Sequence, residues 1–478
     1  MTARSLYWFD FETFGSDPQR DRPAQFAGIR TNENLEVIDK PLVEYCRPAN
    51  DMLPQPAACL ITGITPQLAY EKGQCEAKFM ELIHKQLACP GTCGTGYNSI
   101  RFDDEVIRNC LYRNFFDPYA REWQKGNSRW DIIDMARLTR ALRPEGIEWP
   151  DYDDGKPCFR LEEITKANCI KHKSAHDALS DVYATIDLAK LIRGRQPRLY
   201  DYVYNNRLKR HLSKHLIPGE WQPVLHVSGK YPAINGCIAV VIPLVTHPLN
   251  KNGVVVYDLS IDPSALIDLD VDEIRYRIFT PVSDLPDNIE RIPLKTVHLN
   301  KCPILAPLKT MRDSDADRLG ISLDVCFENL SKLRQSVSVT EKASKVFDSF
   351  PNKISDDPDL MIYSGGFFDD HDKRLMEKIR NTASDQLGDI KLTNHDPRLP
   401  ELLFRYRARN YPETLNPEEL EQWDRYRHSR ITDINSSGSI DLSNYKKQLE
   451  GCRQNAGSDQ RSQKILEDLY DWAEQLLI

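Results

Sequence analysis

The chain of 478 residues has no apolar run of about 18 residues, so no membrane-spanning helix is expected. It has no Cys-x-x-Cys pair: its twelve cysteines are scattered, and the closest, Cys89 and Cys93, flank Pro-Gly-Thr. That spacing suits neither a disulfide framework nor a zinc site, and predicts reduced thiols in a cytoplasmic protein. No secretory leader precedes the first strand-like run, which supports the same compartment. Internal repeats and low-complexity tracts are also missing. Positive charge is in deficit, 63 Lys and Arg against 71 Asp and Glu, net −8. This argues against a uniformly basic nucleic-acid-binding surface but allows local basic stretches.

What is present is ordinary for a soluble protein, 40% hydrophobic and 28% charged, at a length that predicts two to four domains. The informative stretch is Tyr7-Trp8-Phe9-Asp10-Phe11-Glu12-Thr13-Phe14-Gly15. It reads as a strand, an aromatic run ended by glycine. Alternation puts Asp10 and Glu12 on one face, about 7 Å apart along the backbone, with Phe9 and Phe11 on the other. Two carboxylates on a buried strand repel and lose hydration, and the strand holds no Lys or Arg to offset them. A divalent cation is the simplest compensation.

Along the chain, residues 24–31 and 35–45 read as strands separated by Asn32-Glu33-Asn34, and residues 60–69 as a loop leading into a short helix. Residues 76–88 read as a helix, and the run ending at Tyr97-Asn98 as a strand. Phe102-Asp103-Asp104-Glu105 then opens a helix, where acids also serve as dipole-favoured caps. Helices are predicted over 130–142, 160–168 and 175–193, the last with an apolar stripe of Ala178, Val182, Ile186 and Leu188 to Leu191. Residues 143–158 read as a loop. Residues 222–300 carry short β runs with Pro and Gly turns, predicting a small barrel. Residues 314–350 are expected to be helical, 350–359 a polar linker, and the remainder helical.

Three separated segments thus supply acids: Asp10 with Glu12, Asp103, and Asp181. His176 lies five residues before Asp181. Oxygen ligands of this kind suit magnesium or manganese, and two such ions can hold the attacking water and leaving oxygen of a phosphodiester. A histidine at the edge of such a site can accept the water's proton. Each piece also has a plain structural reading: Asp-x-Glu as ordinary strand residues, Asp103 and Asp104 as caps, His176 as a helix-start surface residue.

The order Asp-x-Glu, Phe-Asp, His-x-x-x-x-Asp resembles the histidine-bearing branch of the DEDD (DnaQ-like) exonuclease superfamily. The stretches DFETFG, LPQPAACLITGITPQ, GYNSIRFDDEV, ALRPEGIEWP, FRLEEITKAN, AHDALSDVYATI, HLNKCPILAP and LLFRYRARNYPETL resemble the bacterial exonuclease I family. They span residue 7 to about 416, nearly the whole chain. The resemblance implies an α/β multidomain fold: an RNase H-like exonuclease domain (1–196), an SH3-like β-barrel domain (197–351) and a C-terminal α-helical domain (357–478). It implies processive 3′-to-5′ hydrolysis of single-stranded DNA to 5′-mononucleotides, in DNA repair and recombination. Asp10, Glu12, Asp103 and Asp181 match the carboxylates for two Mg²⁺ ions, with Mn²⁺ as a substitute. His176 matches the general base, Asp103 being preferred to Asp104. Glu12 and Arg160 match substrate contacts. Arg143, Tyr202, Arg312 and Arg334 match stretches that dock the C-terminal tail of single-strand-binding protein. A monomer without membrane attachment is expected.

Two basic, aromatic-interleaved segments suit a single-strand groove, residues 193–215 and 403–430. Their alternative is solvated arginines on ordinary helices. Two other functions stay open at this level: a ribonuclease of the same superfamily, and a non-catalytic single-strand clamp.

Overall fold

The computed structural model describes residues 4–172, 177–349 and 355–477. The chain divides into two compact units, Met1–Ser128 with His172–Ile186 and Lys353–Ile478, and Arg129–Lys171 with Asp187–Asn352. No described helix is long and apolar enough to cross a membrane.

The first unit is built around strand β1 (Ser5–Thr13), with β2 (Pro23–Asn32), β3 (Leu42–Tyr45) and β4 (Thr92–Gly96) in the order β3-β2-β1-β4. β1 runs antiparallel to β2, with Asp10 opposite Ala27 and Glu12 opposite Gln25. It runs parallel to β4 only as far as Trp8 opposite Thr95. The odd face of β1 is the core face. Phe9 and Phe11 pack with Phe26, Phe79, Met80, Val106, Ile107 and Leu111. Phe11 meets the Phe26 ring edge-on at 4.9 Å. Burial of these rings fixes register, since a slip of one residue would turn Asp10 and Glu12 into the core.

The C-terminal residues of the same unit are not an appendage. Phe14, Met52, Leu53, Cys59 and Ile64 share one apolar cluster with Tyr445, Leu449, Leu466, Leu469 and Trp472. Tyr112 and Phe115 share another with Phe368, Leu375, Ile379, Leu402 and Tyr406. Between them lies a buried ion network. Arg409 Nη2 reaches Asp51 at 2.8 Å and Asp359 at 2.6 Å, and Arg405 reaches Asp359 at 3.1 Å. Arg409, Arg405 and the neighbouring Arg22 hold Asp359 well below the usual carboxylate range despite its burial.

The second unit contains an antiparallel sheet of β6 (Val224–Val227), β7 (Ile238–Thr246), β8 (Gly253–Asp258), β9 (Leu294–His298) and β10 (Ile304–Pro307), β5 (Ser128–Asp131) lying at the boundary of the units. The order is β10-β6-β7-β8-β9, so among the described residues the two edge strands β9 and β10 are not paired with each other. Val224, Val241, Val254, Val256, Val297 and Leu305 fill one face with Leu212 and Leu216.

Several sequence expectations are corrected. Trp130 and Asp131, expected in a helix, end β5; Asp131 caps the helix Ile132–Leu142 by accepting the Ile133 N–H at 3.1 Å. Residues 60–62, expected in a loop, finish the helix Pro56–Thr62, which Gly63 stops at φ 72°. Of residues 35–45 only Leu42–Tyr45 forms a strand. The expected linker over 350–359 lies partly outside the described residues; its described end is no free tether, since Asp357 and Asp359 are held in the ion network. The arginines of 403–430 do not form a cationic groove. Arg405, Arg407, Arg409 and Arg430 are buried, and Arg407 pairs with Glu419 at 2.6 Å. The more peripheral Arg425 and Arg427 pair with Glu421 and Asp424.

Candidate active site

Strand alternation sets Asp10 and Glu12 side by side on the face of β1 opposite the phenylalanines. The third acid arrives from a helix start. After β4 the chain turns through Asn98, at φ 61°, into the helix Asp103–Arg113. Close approach is needed here: a Cβ on Gly96 would lie 2.7 Å from the Phe9 carbonyl oxygen. Asp103 does not cap its own helix. Its Oδ1 accepts the backbone N–H of Phe11 at 3.0 Å, between Asp10 and Glu12. Asp104, the neighbour, turns to a buried ion pair with Arg121. The fourth acid, Asp181, stands in the first turn of the helix Ala178–Arg195. One carboxylate oxygen each from Asp10, Glu12 and Asp181 lie within 4.8 Å of one another.

The charges at this site are frustrated. Burial, then Asp103, Glu12 and Asp181, push the Asp10 carboxyl well above its usual range. Burial, then Asp181, Asp103 and Asp177, push Glu12 up to about 8. Carboxylates gathered this tightly, out of water, fit a hard divalent cation: all donors are oxygens, and burial with the neighbouring acids raises the proton affinity of Asp10 and Glu12, which a bound positive charge would offset. Asp10, Glu12, Asp103 and Asp181 are the residues that would hold it. A histidine also touches the group: His172 Nε2 lies 2.5 Å from Asp181 Oδ1. His176, expected as the base, lies outside the described residues.

The other predicted residues lie in the second unit. Arg160 is exposed at the start of the helix Leu161–Ala167, its guanidinium 5.6 Å from the Tyr152 ring. Arg143 contacts Asp315 at 3.3 Å and donates to the Thr310 carbonyl at 3.0 Å. Arg312 pairs with Glu145 at 2.6 Å. The Tyr202 hydroxyl donates to the Leu305 carbonyl at 3.1 Å, and Arg334 is exposed in the last turn of Leu323–Gln335. Arg143 and Arg312 are brought together around the start of the helix Asp313–Leu319, where Asp315 also accepts the Arg312 N–H.

Sequence reading passed over His172 and a group of aromatics in the first unit. Tyr363 bonds Glu105, two residues beyond Asp103. Phe367 meets Tyr119 edge-on at 6.0 Å, and Arg108 lies over the same tyrosine ring at 5.4 Å. Trp123, Tyr363 and Phe367 are 65%, 58% and 86% exposed, unusual for rings this large. Only the aromatic content of Tyr363-Ser-Gly-Gly-Phe-Phe hints at this in the sequence.

Comparison with known proteins agrees along the whole chain. The family described as Exonuclease matches residues 7–189, the Exonuclease I SH3-like domain 207–349, and the Exonuclease I C-terminal domain 356–476. Exodeoxyribonuclease I of Escherichia coli (strain K12) is 47% identical over 474 residues, covering 99% of this chain and 98% of that protein. The structure of a moderately thermophilic exonuclease I from Methylocaldum szegediense superposes with a TM-score of 0.95 at 54% identity, covering 100% of both chains. The zinc-bound form of the E. coli exonuclease I complex with single-stranded DNA superposes with a TM-score of 0.94 at 46% identity, covering 99% of this chain and 100% of that one. With close to half its residues shared with these proteins from end to end, the chain belongs to the exodeoxyribonuclease I family.

Proposed function

We propose that this protein hydrolyses single-stranded DNA from the 3′ end, releasing 5′-mononucleotides processively. Asp10, Glu12, Asp103 and Asp181 hold two magnesium ions, for which manganese substitutes. The observation that carries the reading is the convergence of four acids from three chain segments on one end of β1, with Asp10 and Glu12 pushed toward protonation by burial and by the other acids. Family membership and the zinc-bound, DNA-bound relative support it.

Bound ions supply electrostatic stabilisation of the charge that develops on the phosphate and on the attacking and leaving oxygens. The chain supplies the rest. Asp103, fixed by the Phe11 N–H, and Asp181, touched by His172, are set before substrate arrives, so little reorganisation accompanies the reaction. His176 accepts the proton of the attacking water on a ring nitrogen, which requires its neutral form. Glu12 is a substrate contact, and so is Arg160, whose side chain is exposed.

The strand is held by phosphate contacts and by stacking. Arg195, Arg198, Lys209, Arg210 and Lys214 are exposed, as a phosphate-binding segment requires. Tyr363 and Phe367 offer rings beside the helix that carries Asp103, and Trp123 is a further exposed ring in the same unit. The reading divides the chain into three domains at 1–196, 197–351 and 357–478, a division supported by family matches over 7–189, 207–349 and 356–476. Arg143, Tyr202, Arg312 and Arg334 form the docking site for the acidic tail of single-strand-binding protein. A cytoplasmic monomer acting in DNA repair and recombination completes the reading.

Labelled oligonucleotides test substrate and polarity together. A 3′-labelled DNA strand releases labelled mononucleotide at once, a 5′-labelled strand only at the end, and the matching RNA is spared. Equal cleavage of RNA, or early release of a 5′ label, contradicts the proposal.

A further inference from the structure

The imidazole of His172 is 8% exposed, and its Nε2 sits 2.5 Å from Asp181 Oδ1. The two residues are nine apart in sequence and belong to the same compact unit. In the tautomer that carries its hydrogen on Nε2, the ring donates to this carboxylate oxygen. The contact bears on the orientation of Asp181. That residue stands in the first turn of its helix with its side chain 18% exposed, facing Asp10 and Glu12. A partly exposed carboxylate has rotamers that swing it out to solvent, and a hydrogen bond to one of its oxygens favours the inward one.

Resting on the nuclease reading, we propose that His172 is a positioning residue for Asp181. It is distinct from the general base and acts by holding Oδ1 so that the carboxylate stays turned toward Asp10 and Glu12. Hydrogen-bond partners of metal-holding groups change metal affinity or activity by roughly 10–100-fold when removed. The opposite function is conceivable for the same contact: a histidine that occupies Asp181 competes with the cation, and its removal then tightens binding. The two differ in sign.

The test uses the full-length chain without DNA. Binding of Mn²⁺ is measured by titration calorimetry for wild type, His172→Phe, which keeps a ring but no donor, and His172→Gln, which keeps an N–H donor. Melting in EDTA reports on folding. The expected result is Mn²⁺ binding roughly 10–100-fold weaker in His172→Phe and within a few-fold of wild type in His172→Gln. The Mg²⁺ concentration for half-maximal cleavage rises in parallel, and kcat at saturating Mg²⁺ largely recovers. Unchanged or tighter Mn²⁺ binding in His172→Phe overturns the proposal. So does a folded His172→Gln that binds as weakly as the phenylalanine variant, and this arm decides alone if His172→Phe does not fold. A wild type that binds no Mn²⁺ and cleaves no DNA overturns the nuclease reading itself, whereas a wild type that does both while His172→Phe matches it overturns only the role of His172.

Discussion

The Asp103 carboxylate accepts the backbone N–H of Phe11 at 3.0 Å, so a helix-borne acid is tied to the strand at the one residue between Asp10 and Glu12. Because β1 leaves its pairing with β4 after Trp8, that N–H is available to a side chain. The bond separates structure from chemistry. Asp103→Asn keeps an acceptor for Phe11 but removes the charge. It should melt within a few degrees of wild type and lose at least about 10²-fold in kcat, as loss of a charge-stabilising group does. Asp103→Ala should lose activity and also about 1–3 kcal/mol of stability, since it strands a buried N–H. Thermal melts and single-turnover cleavage of both variants check this.

The raised carboxyl of Glu12 sets a pH dependence for the metal-free protein. An acid whose folded value is about 8 against an ordinary 4.5 binds its proton more tightly folded than unfolded. Stability therefore falls as pH rises from about 4.5, and the loss is complete above about 8. Glu12→Gln removes that penalty. In EDTA the variant should melt above wild type at pH 8.5, by roughly 1–2 °C per kcal/mol relieved, and the gap should close near pH 5. Mg²⁺ should raise the wild-type midpoint most at the alkaline end. A gap independent of pH contradicts the assignment.

The ion network in the first unit predicts a different failure. Asp359 faces Arg405 and Arg409 while 3% exposed, so Asp359→Ala leaves two buried guanidiniums short of a partner. The expected cost is about 3–5 kcal/mol. The same packing bears on truncation. A chain ending near residue 350 loses the apolar cover of Phe14, Cys59, Tyr112 and Phe115. Simple loss of processivity with cleavage intact, which a flexible linker would allow, is therefore not expected; the shortened chain should expose apolar surface and fail to melt cooperatively. Dye binding and calorimetry of that chain decide it.

The tail-docking site is tested by fluorescence anisotropy of a labelled acidic, phenylalanine-ended peptide. Arg143→Ala with Arg334→Ala should weaken binding, and salt should weaken it further. Arg143 is already held by Asp315 and the Thr310 carbonyl, so Arg334 and Arg312, the more exposed guanidiniums, should carry more of the effect singly. Equal affinity for wild type and the double variant contradicts the docking site and leaves the nuclease reading untouched.

What was legible in the sequence followed local rules. Alternation along Tyr7 to Thr13 set which side chains share a face, and the spacing of Asp103 and Asp181 at helix starts could be read directly. What was not legible depended on partners remote in sequence. The arginines of 403–430 look like a phosphate groove until Asp51, more than 350 residues away, is seen beside Arg409. Residues 355–359 look like linker because nothing local shows that Asp357 and Asp359 are answered by Arg405 and Arg409. Trp130 and Asp131 carry helical periodicity yet finish a four-residue strand, because Asp131 is a better cap than a helix interior residue. His172 went unnoticed because a histidine nine residues before an acid has no local reason to face it.

Asp10, Glu12, Asp103 and Asp181 are proposed to form a cation-dependent hydrolytic site. Its most direct test is Mg²⁺-dependent release of mononucleotides from single-stranded DNA by wild type and by Asp10→Asn, each first stripped with EDTA, with DNA binding measured alongside. Stripped wild type should release none, release should return in full when Mg²⁺ is restored, and Asp10→Asn should show at most residual release at any Mg²⁺ concentration while it still binds DNA. Wild-type turnover in Asp10→Asn, or undiminished cleavage in EDTA, would contradict the proposal.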